Sequence, residues 1–458
     1  MSTICSVSTP HGLGGIAVIR ISGPLAFKIA DKVFKSAANP PKTPPQMKTY
    51  TCAYGQVYSN DEIIDDCILS VFRAPHSFTG EDVCEISVHG GYLTAKKTVD
   101  ALINSGAVHA RNGEFTERAF LNGKLSLTQA ESVMDVIRAK TNTELRMANA
   151  KKDGLLAKRI EKITGDLRGL CAKLGVWADY PDDYDYYFEN FDIEEILLSV
   201  KSDLEELTKS PKSDEIIRNG IPTVVIGKPN VGKSSFLNCL TGRSTAIVSD
   251  IPGTTRDIIE TEIMIGEHRL RIKDTAGIHE TADIIETIGI ARAKEAADTA
   301  EIKLLIFDAG NIDDCDFEIY KNLAEKSNTI AIINKTDLNI DLPSEMLTRI
   351  NAKAAFTVKI SAKNGTGIDE FTEILDKFIK QSKIYPDTEF VLNERQMTIA
   401  AAALSRITET VDVYKTSAAL DIISVMCDSV LSELLTLSGE NITVAVADKI
   451  FSEFCVGK

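Results

Sequence analysis

The chain has 458 residues, 44% of them hydrophobic and 26% charged, a globular balance with length for about three domains. Its 51 Lys and Arg against 66 Asp and Glu give a formal charge of −15, which excludes a uniformly basic nucleic-acid coat but leaves room for a local basic stripe. Nine Cys, an odd number without any CxxC pair, argue against a secreted disulfide framework and a Cys-rich zinc module, and six scattered His lack HxH or HxxxH spacing.

The first residues, Met1 to Gly15, lack the basic flank and apolar core of a signal peptide. No apolar run nears the roughly 18 residues of a membrane span. The expected location is the cytoplasm, with no membrane association. Gly15–Ile21 then reads as a strand and Pro24–Phe34 as a helix. Asn39–Pro45, with four prolines, reads as a loop. Asp65–Phe72 and Val83–Val88 read as strands and Tyr92–Ile103 as a helix, which makes a small α/β domain.

A helical region follows. Ser126 with Gln129 three residues later matches a capping box. Leu156, Ile160, Ile163, Leu167, Leu170, Leu174 and Trp177 recur at spacings of 4 and 3 in alternation, a seam for lengthwise packing on another helix. Ten Lys and Arg against four acidic residues between Arg138 and Lys173 read either as a solvated helix face or as a surface for RNA phosphates. Asp179–Glu195 carries eight acidic residues, no basic one and four Tyr, and reads as an exposed loop.

From Ile221 the pattern changes to strands alternating with helices: Pro222–Ile226, Arg269–Lys273, Lys303–Asp308, Thr329–Asn334 and Phe356–Ile360. That spacing predicts a doubly wound parallel sheet, closed by an amphipathic helix over Gly367–Gln381. Helical periodicity returns after Pro386, with Leu420, Ile423, Cys427, Val430, Leu434 and Leu437 on one stripe. The expected fold class is multidomain α/β plus all-α: residues 1–118, a helical domain built from 119–215 and 383–458, and an inserted P-loop domain over 216–382.

Four motifs carry chemistry. Gly227–Ser234 fits GxxxxGK[ST] between a strand and a helix. Its backbone N–H groups suit phosphate oxygens, with Asn230, Val231, Gly232, Lys233, Ser234 and Ser235 as contacts and the Ser234 hydroxyl on Mg²⁺. Asp274-Thr275-Ala276-Gly277 follows a strand, where Asp274 is expected to hold Mg²⁺ through water and Gly277 to sense the γ-phosphate. Asn334-Lys335-Thr336-Asp337 ends a strand, and the Asp337 carboxylate can accept from guanine N1–H and its 2-amino group. Adenine offers neither donor, so ATP would leave a charged acceptor unpaired. Ser361-Ala362-Lys363 completes the base pocket. Together these imply a GTP-binding G domain.

Ile278 stands where Ras-like enzymes carry a water-orienting Gln. Asn230 in the P-loop, with the switch Ser249-Asp250-Ile251-Pro252-Gly253-Thr254-Thr255 folded over it, can instead hold a monovalent cation, and Thr255 supplies the second Mg²⁺ hydroxyl.

Further segments carry a family resemblance. They are Ser77-Phe-Thr-Gly-Glu-Asp-Val-Cys-Glu-Ile, Gly90-Gly91, Gly113-Glu-Phe-Thr-Glu-Arg-Ala-Phe-Leu-Asn-Gly-Lys124, Gly253-Thr-Thr-Arg-Asp257 and Phe454-Cys-Val-Gly-Lys458. With the P-loop, they make the chain resemble, over essentially its whole length, the bacterial and mitochondrial MnmE (TrmE) family of tRNA-modifying GTPases. The tail has Val where that family usually has Ile.

The resemblance implies an N-terminal domain that binds a one-carbon tetrahydrofolate (5,10-methylene- or 5-formyl-tetrahydrofolate) and forms a homodimer. Arg20, Glu85, Lys124 and Lys458 match folate-contacting positions. Ser249, Ile251 and Thr254, with Asn230, match K⁺ positions. Glu286, twelve residues after Asp274, matches the glutamate that positions the catalytic water, and Cys455 matches the family's tail cysteine, a second catalytic candidate. The resemblance also implies a heterotetramer with an FAD-bearing partner of the MnmG (GidA) type; this chain has no GxGxxG loop, so the flavin would come from that partner. The two would install an aminomethyl-type group (carboxymethylaminomethyl or aminomethyl) at C5 of the wobble uridine of certain tRNAs. A ribosome-assembly switch of the Era or EngA kind and an autonomous folate-dependent transferase are the alternatives.

Overall fold

A computed structural model describes residues 2–10, 12–179, 192–209, 211–243, 260–273, 297–314, 316–317, 326–340, 342–385, 389–416 and 419–457. The expected switch residues Ser249 to Thr255, the segment Asp274 to Gly277, Glu286, Lys458 and most of the acidic stretch lie outside the described residues. The chain divides into two compact units. One comprises Met1–Arg138, Ala148–Leu207 and Arg395–Lys458, the other Ala139–Met147 and Thr208–Glu394.

The first unit opens with β1 (Ile4–Val7), β2 (Ile16–Ser22), α1 (Ala26–Val33), β3 (Phe34–Ser36), β4 (Thr51–Ser59), β5 (Glu62–Phe72), β6 (Val83–His89), α2 (Tyr92–Asn104) and β7 (Val108–His109). These strands form one sheet in the order β3-β4-β5-β6-β2-β1-β7. Ile19, Ile21, Cys84, Ile86, Leu69 and Val71 are buried with Phe27, Ile29, Val99 and Leu102 of α1 and α2, because period 2 sends alternate side chains to one face. The other face alternates in step. Its cross-strand rows are Arg20–Glu85–Ser70–Cys52 and Val18–Ser87–Ile68–Tyr54. Strand β4 escapes the sequence reading because Ala53, Gly55 and Val57 on its buried face make a weak apolar pattern.

Helices α3 (Glu114–Leu121), α4 (Leu127–Arg138), α5 (Asn142–Lys152), α6 (Leu155–Asp179) and α7 (Ile193–Leu207) follow. The capping box at the head of α4 forms reciprocally: Ser126 N–H donates to Gln129 Oε1 (3.0 Å) and Gln129 N–H to Ser126 Oγ (3.3 Å). The α6 seam buries Leu156, Ile160, Ile163, Leu167, Leu170 and Leu174, while Trp177 is half-buried. On the basic segment, Lys151, Arg159, Lys162 and Arg168 each face an acid, Asp135, Glu206, Asp203 and Glu440. That pairing fits a solvated helix face better than bare cations held for phosphates.

The second unit starts with α8 (Pro211–Asn219), β8 (Ile221–Ile226), α9 (Lys233–Arg243), β9 (Glu260–Ile265), β10 (His268–Lys273), β11 (Ile302–Asp308) and β12 (Thr329–Asn334). It continues with α10 (Ser344–Lys353), β13 (Phe356–Lys359) and α11 (Ile368–Gln381). The sheet order is β13-β12-β11-β8-β10-β9. Five strands are parallel as expected; the edge strand β9 runs antiparallel to β10, because the two are joined by the tight Gly266-Glu267 turn. Ile, Val, Leu and Phe fill the sheet on both faces, the pattern of a parallel sheet covered on each side.

The chain then returns to the first unit through α12 (Glu394–Lys415), α13 (Leu420–Ser438) and α14 (Val444–Ser452). The α13 stripe buries Ile423, Cys427, Val430, Leu434 and Leu437, and α13 is the helix against which α6 packs. At the start of α12, Arg395 and the buried Gln396 both donate to the buried Glu131 of α4. Among the described residues no helix is long and apolar enough to cross a membrane.

Candidate functional site

The P-loop leaves β8 at Ile226 and enters α9 at Lys233. Asn230 (φ 63°) and Gly232 (φ 95°) take left-handed backbone, which curls the loop so that N–H groups converge at a helix N-terminus. A Cβ at Gly232 would collide with Asn334 Nδ2. Lys233 Nζ donates to the carbonyls of Gly227 and Lys228, both at 2.7 Å, so its ammonium lies inside the loop curl. Ser234 and Ser235 sit in the first turn of α9, where a hydroxyl can meet a cation bound to phosphate. Lys228 at the loop's start is held by Asp313 and by the buried Asp316, a clamp that sequence reasoning missed.

The base-side motifs interlock with this loop. Asn334, 2% exposed at the end of β12, donates from Nδ2 to Val231 O (2.9 Å) and accepts at Oδ1 from Ala362 N–H (3.0 Å). Lys335 Nζ reaches Asn230 O (2.8 Å) and Asp308 Oδ2 (2.7 Å). Asp308 ends β11, so its place at a strand terminus is the signal that would have found it. Ser361 Oγ donates to Asp337 Oδ1 (2.7 Å) and accepts from Asn364 N–H. That hydroxyl, with Lys363 and Lys335 nearby, holds the half-buried Asp337 carboxyl below its ordinary value. Asp337 is therefore ionised throughout neutral pH and ready to accept two hydrogens from one ligand edge.

A second cluster lies on the open face of the first unit's sheet. Arg20 and Glu85 pair at 2.9 Å, and the Arg20 guanidinium lies over the rings of Phe78 and Phe115. A cavity of about 270 Å³ is lined by Tyr50, Phe72, His76, Ser77, Phe78 and Lys124. Lys124 Nζ donates to Pro75 O (3.1 Å), which folds the lysine over this loop. Arg118 anchors the same region by pairing with Glu81 and Glu114. The aromatic walls were not singled out in sequence, where Phe72 reads only as the end of a strand and Tyr50 falls in no expected element.

The tail is tied to the same unit. Gly113 N–H donates to Cys455 O (3.4 Å), Val456 bridges Asn112, and Ser8 Oγ donates to Gly457 O (3.0 Å). Gly457 (φ 86°) lies so close to Val7 O that no side chain fits there. Cys455 itself is exposed beside these contacts.

Residues 3–124 match the family described as GTP-binding protein TrmE N-terminus, and residues 127–455 match the MnmE helical domain. The chain belongs to the MnmE family of tRNA modification GTPases. The tRNA modification GTPase MnmE of Acetivibrio thermocellus is 39% identical over 463 residues, covering 100% of this chain and 99% of its own. Those of Clostridioides difficile and Bacillus subtilis are each 36% identical, covering 100% of this chain and 99% and 100% of their own lengths. These MnmE relatives align with both units, so the P-loop cluster and the open-face cluster belong to one family frame.

Changing Asp337→Asn replaces the carboxylate with an amide that can donate to a 2-oxo group. The expected outcome is weakened GTP binding and new binding of XTP, with ATP still excluded, read by titration of the three nucleotides. A variant that keeps the GTP preference of the native chain contradicts this placement of the base pocket.

Proposed function

We propose that this MnmE-family GTP hydrolase, with a flavin-dependent partner of the MnmG type, modifies C5 of the wobble uridine of certain tRNAs. The added group is of the aminomethyl type. The observation that supports the GTP part is the Asn334 bridge, which ties the P-loop to the loop after β13. The tRNA part rests on full-length relatedness to proteins named tRNA modification GTPase MnmE.

In this reading, 216–382 is the G domain, 119–215 with 383–458 the helical domain, and 1–118 the folate and dimerisation domain. Lys233 and the P-loop N–H groups neutralise phosphate charge. Ser234 and Thr255 hold Mg²⁺, with Asp274 behind a water, and Gly277 follows the γ-phosphate. Asn230, Ser249, Ile251 and Thr254 hold K⁺, which would supply positive charge at the developing transition state. Glu286 positions the attacking water.

The left-handed Asn230 and the converging N–H groups suit an anion with its cations. For the one-carbon tetrahydrofolate, the Glu85 carboxylate suits the donor edge of a pterin. The aromatic cavity suits its flat ring, and Lys124 with Arg20 suits an anionic tail. Cys455 is exposed beside the contacts that bind the tail to this unit, and Lys458 is a further candidate for the anionic tail by its place in the sequence.

A homodimer is supported by the open sheet face, where Ile16, Tyr54 and Ile68 stand exposed beside the Arg20–Glu85 row. A second copy of the chain would cover them.

Nucleoside analysis of tRNA tests the whole reading. Cells lacking the protein are expected to lose the C5 aminomethyl-type group, and the restored gene to return it. Wobble uridines that stay modified in its absence contradict the assignment. A second measurement addresses the cation: with Na⁺ in place of K⁺, GTP turnover is expected to fall roughly 10²-fold at nearly unchanged GTP affinity. Equal rates in the two salts remove K⁺ from the mechanism.

A further inference from the structure

Both expected nucleotide-sensing segments join one hairpin. Thr255 lies five residues before β9, and Asp274 directly follows β10. The hairpin pairs along its whole length, from His268↔Ile265 to Lys273↔Glu260. That ladder ties the two strands to each other from end to end. The hairpin's polar side chains Glu262, Glu267 and Arg269 are each gripped by the start of α5. Lys140 Nζ lies 2.6 Å from Glu262 Oε2, Asn142 Nδ2 donates to Glu267 Oε1 (2.7 Å), and Glu144 Oε1 lies 3.1 Å from Arg269 Nη2.

Arg269 is the keystone of this grip. It is 6% exposed, and its Glu144 partner has a side chain only 13% exposed. Losing one partner of a buried ion pair leaves an uncompensated charge, so parting these two residues is costly. Arg269 also donates to the carbonyls of Ile217 (3.0 Å) and Arg218 in α8. Met147, Ile217 and Val391 form an apolar cluster beneath, with Tyr385 packed on it. The hairpin is thus bound to the start of α5 and to α8, and its His268 ring stacks on Tyr385. Those are the places where the chain enters and leaves the second unit. Helix α5 itself begins in that unit and ends, after Met147, in residues of the other.

We propose that the Glu144–Arg269 ion pair is a coupling device: it passes the nucleotide state of the β9–β10 hairpin to helix α5, and so ties GTP hydrolysis to tRNA modification. The proposal rests on the function stated above and adds the residues through which the GTP cycle is felt. Glu144 and Arg269 act through the hairpin and touch no nucleotide, so they are positioning residues. Glu144 also accepts from its own Lys140 N–H (2.7 Å), which fixes its carboxylate ahead of the helix.

The test uses full-length Glu144→Gln, which keeps the volume and removes the charge, and the swap Glu144→Arg with Arg269→Glu. Each is measured for GTP affinity and turnover as a purified chain. Each is also measured for wobble-uridine modification as the only copy in cells. Glu144→Gln is expected to keep turnover within about twofold while modification falls about tenfold, a size usual for coupling between sites. The swap is expected to recover most of the modification. Modification at the native level in Glu144→Gln, or turnover falling in step with it, overturns the proposal. So does a swap that folds, hydrolyses GTP and still fails to modify. If Glu144→Gln melts early, Lys140→Gln replaces it as the milder break of the same grip, with the same split expected. A native chain that fails to restore modification overturns the functional reading instead.

Discussion

One buried amide governs the second unit. Asn334 has a donor and an acceptor on a single rigid side chain, and it uses both, on Val231 O and Ala362 N–H. The phosphate loop, the β12 terminus and the β13 loop would otherwise be three separate strand ends on a twisted sheet. Each of the two hydrogen bonds is worth only about 1 kcal/mol net, but an unsatisfied buried partner costs about 1–3 kcal/mol. That asymmetry makes the arrangement all or none. Lys335 repeats it with charge, on Asn230 O and Asp308, and Gly232 leaves the space that Asn334 Nδ2 occupies. The P-loop and the loops after β12 and β13 therefore form one assembly.

The first unit solves a different problem. Its sheet buries one face under α1 and α2 and leaves the other open. On that open face a charged pair, Arg20 and Glu85, sits among apolar neighbours, with Phe78 and Phe115 stacked on the guanidinium. The pair is only partly exposed, its side chains 17% and 24% accessible. The C-terminal tail is bound across the ends of β1 and α3 of the same unit. The tail thereby joins residues more than three hundred positions away in sequence.

Much of this was legible in the sequence, for physical reasons. The central strands of the second unit are continuous apolar runs ended by Gly, Asn or Asp, so Thr329–Asn334 was read with its exact bounds and Pro222–Ile226 within one residue. The α6 seam was visible because 3.5-residue spacing has no other use. Strand β4 was not, since Gly55 and Ala53 carry little hydrophobic signal and its pairing with β5 is a tertiary fact. The edge strand β9 hid for the same reason. The phosphate and base motifs could be named from sequence, but their linkage could not. Nothing in the order of residues says that Asn334 reaches back across 103 positions to Val231, or that Glu144 lies against Arg269.

The central claim is that the Asn334 side chain joins the two halves of the nucleotide site. Its most direct test is the GTP affinity of Asn334→Ala, with far-ultraviolet circular dichroism to show that the chain remains folded. The account requires a loss of at least about tenfold, the effect of even one newly unsatisfied buried group. A folded Asn334→Ala chain that binds GTP as tightly as the native protein contradicts it.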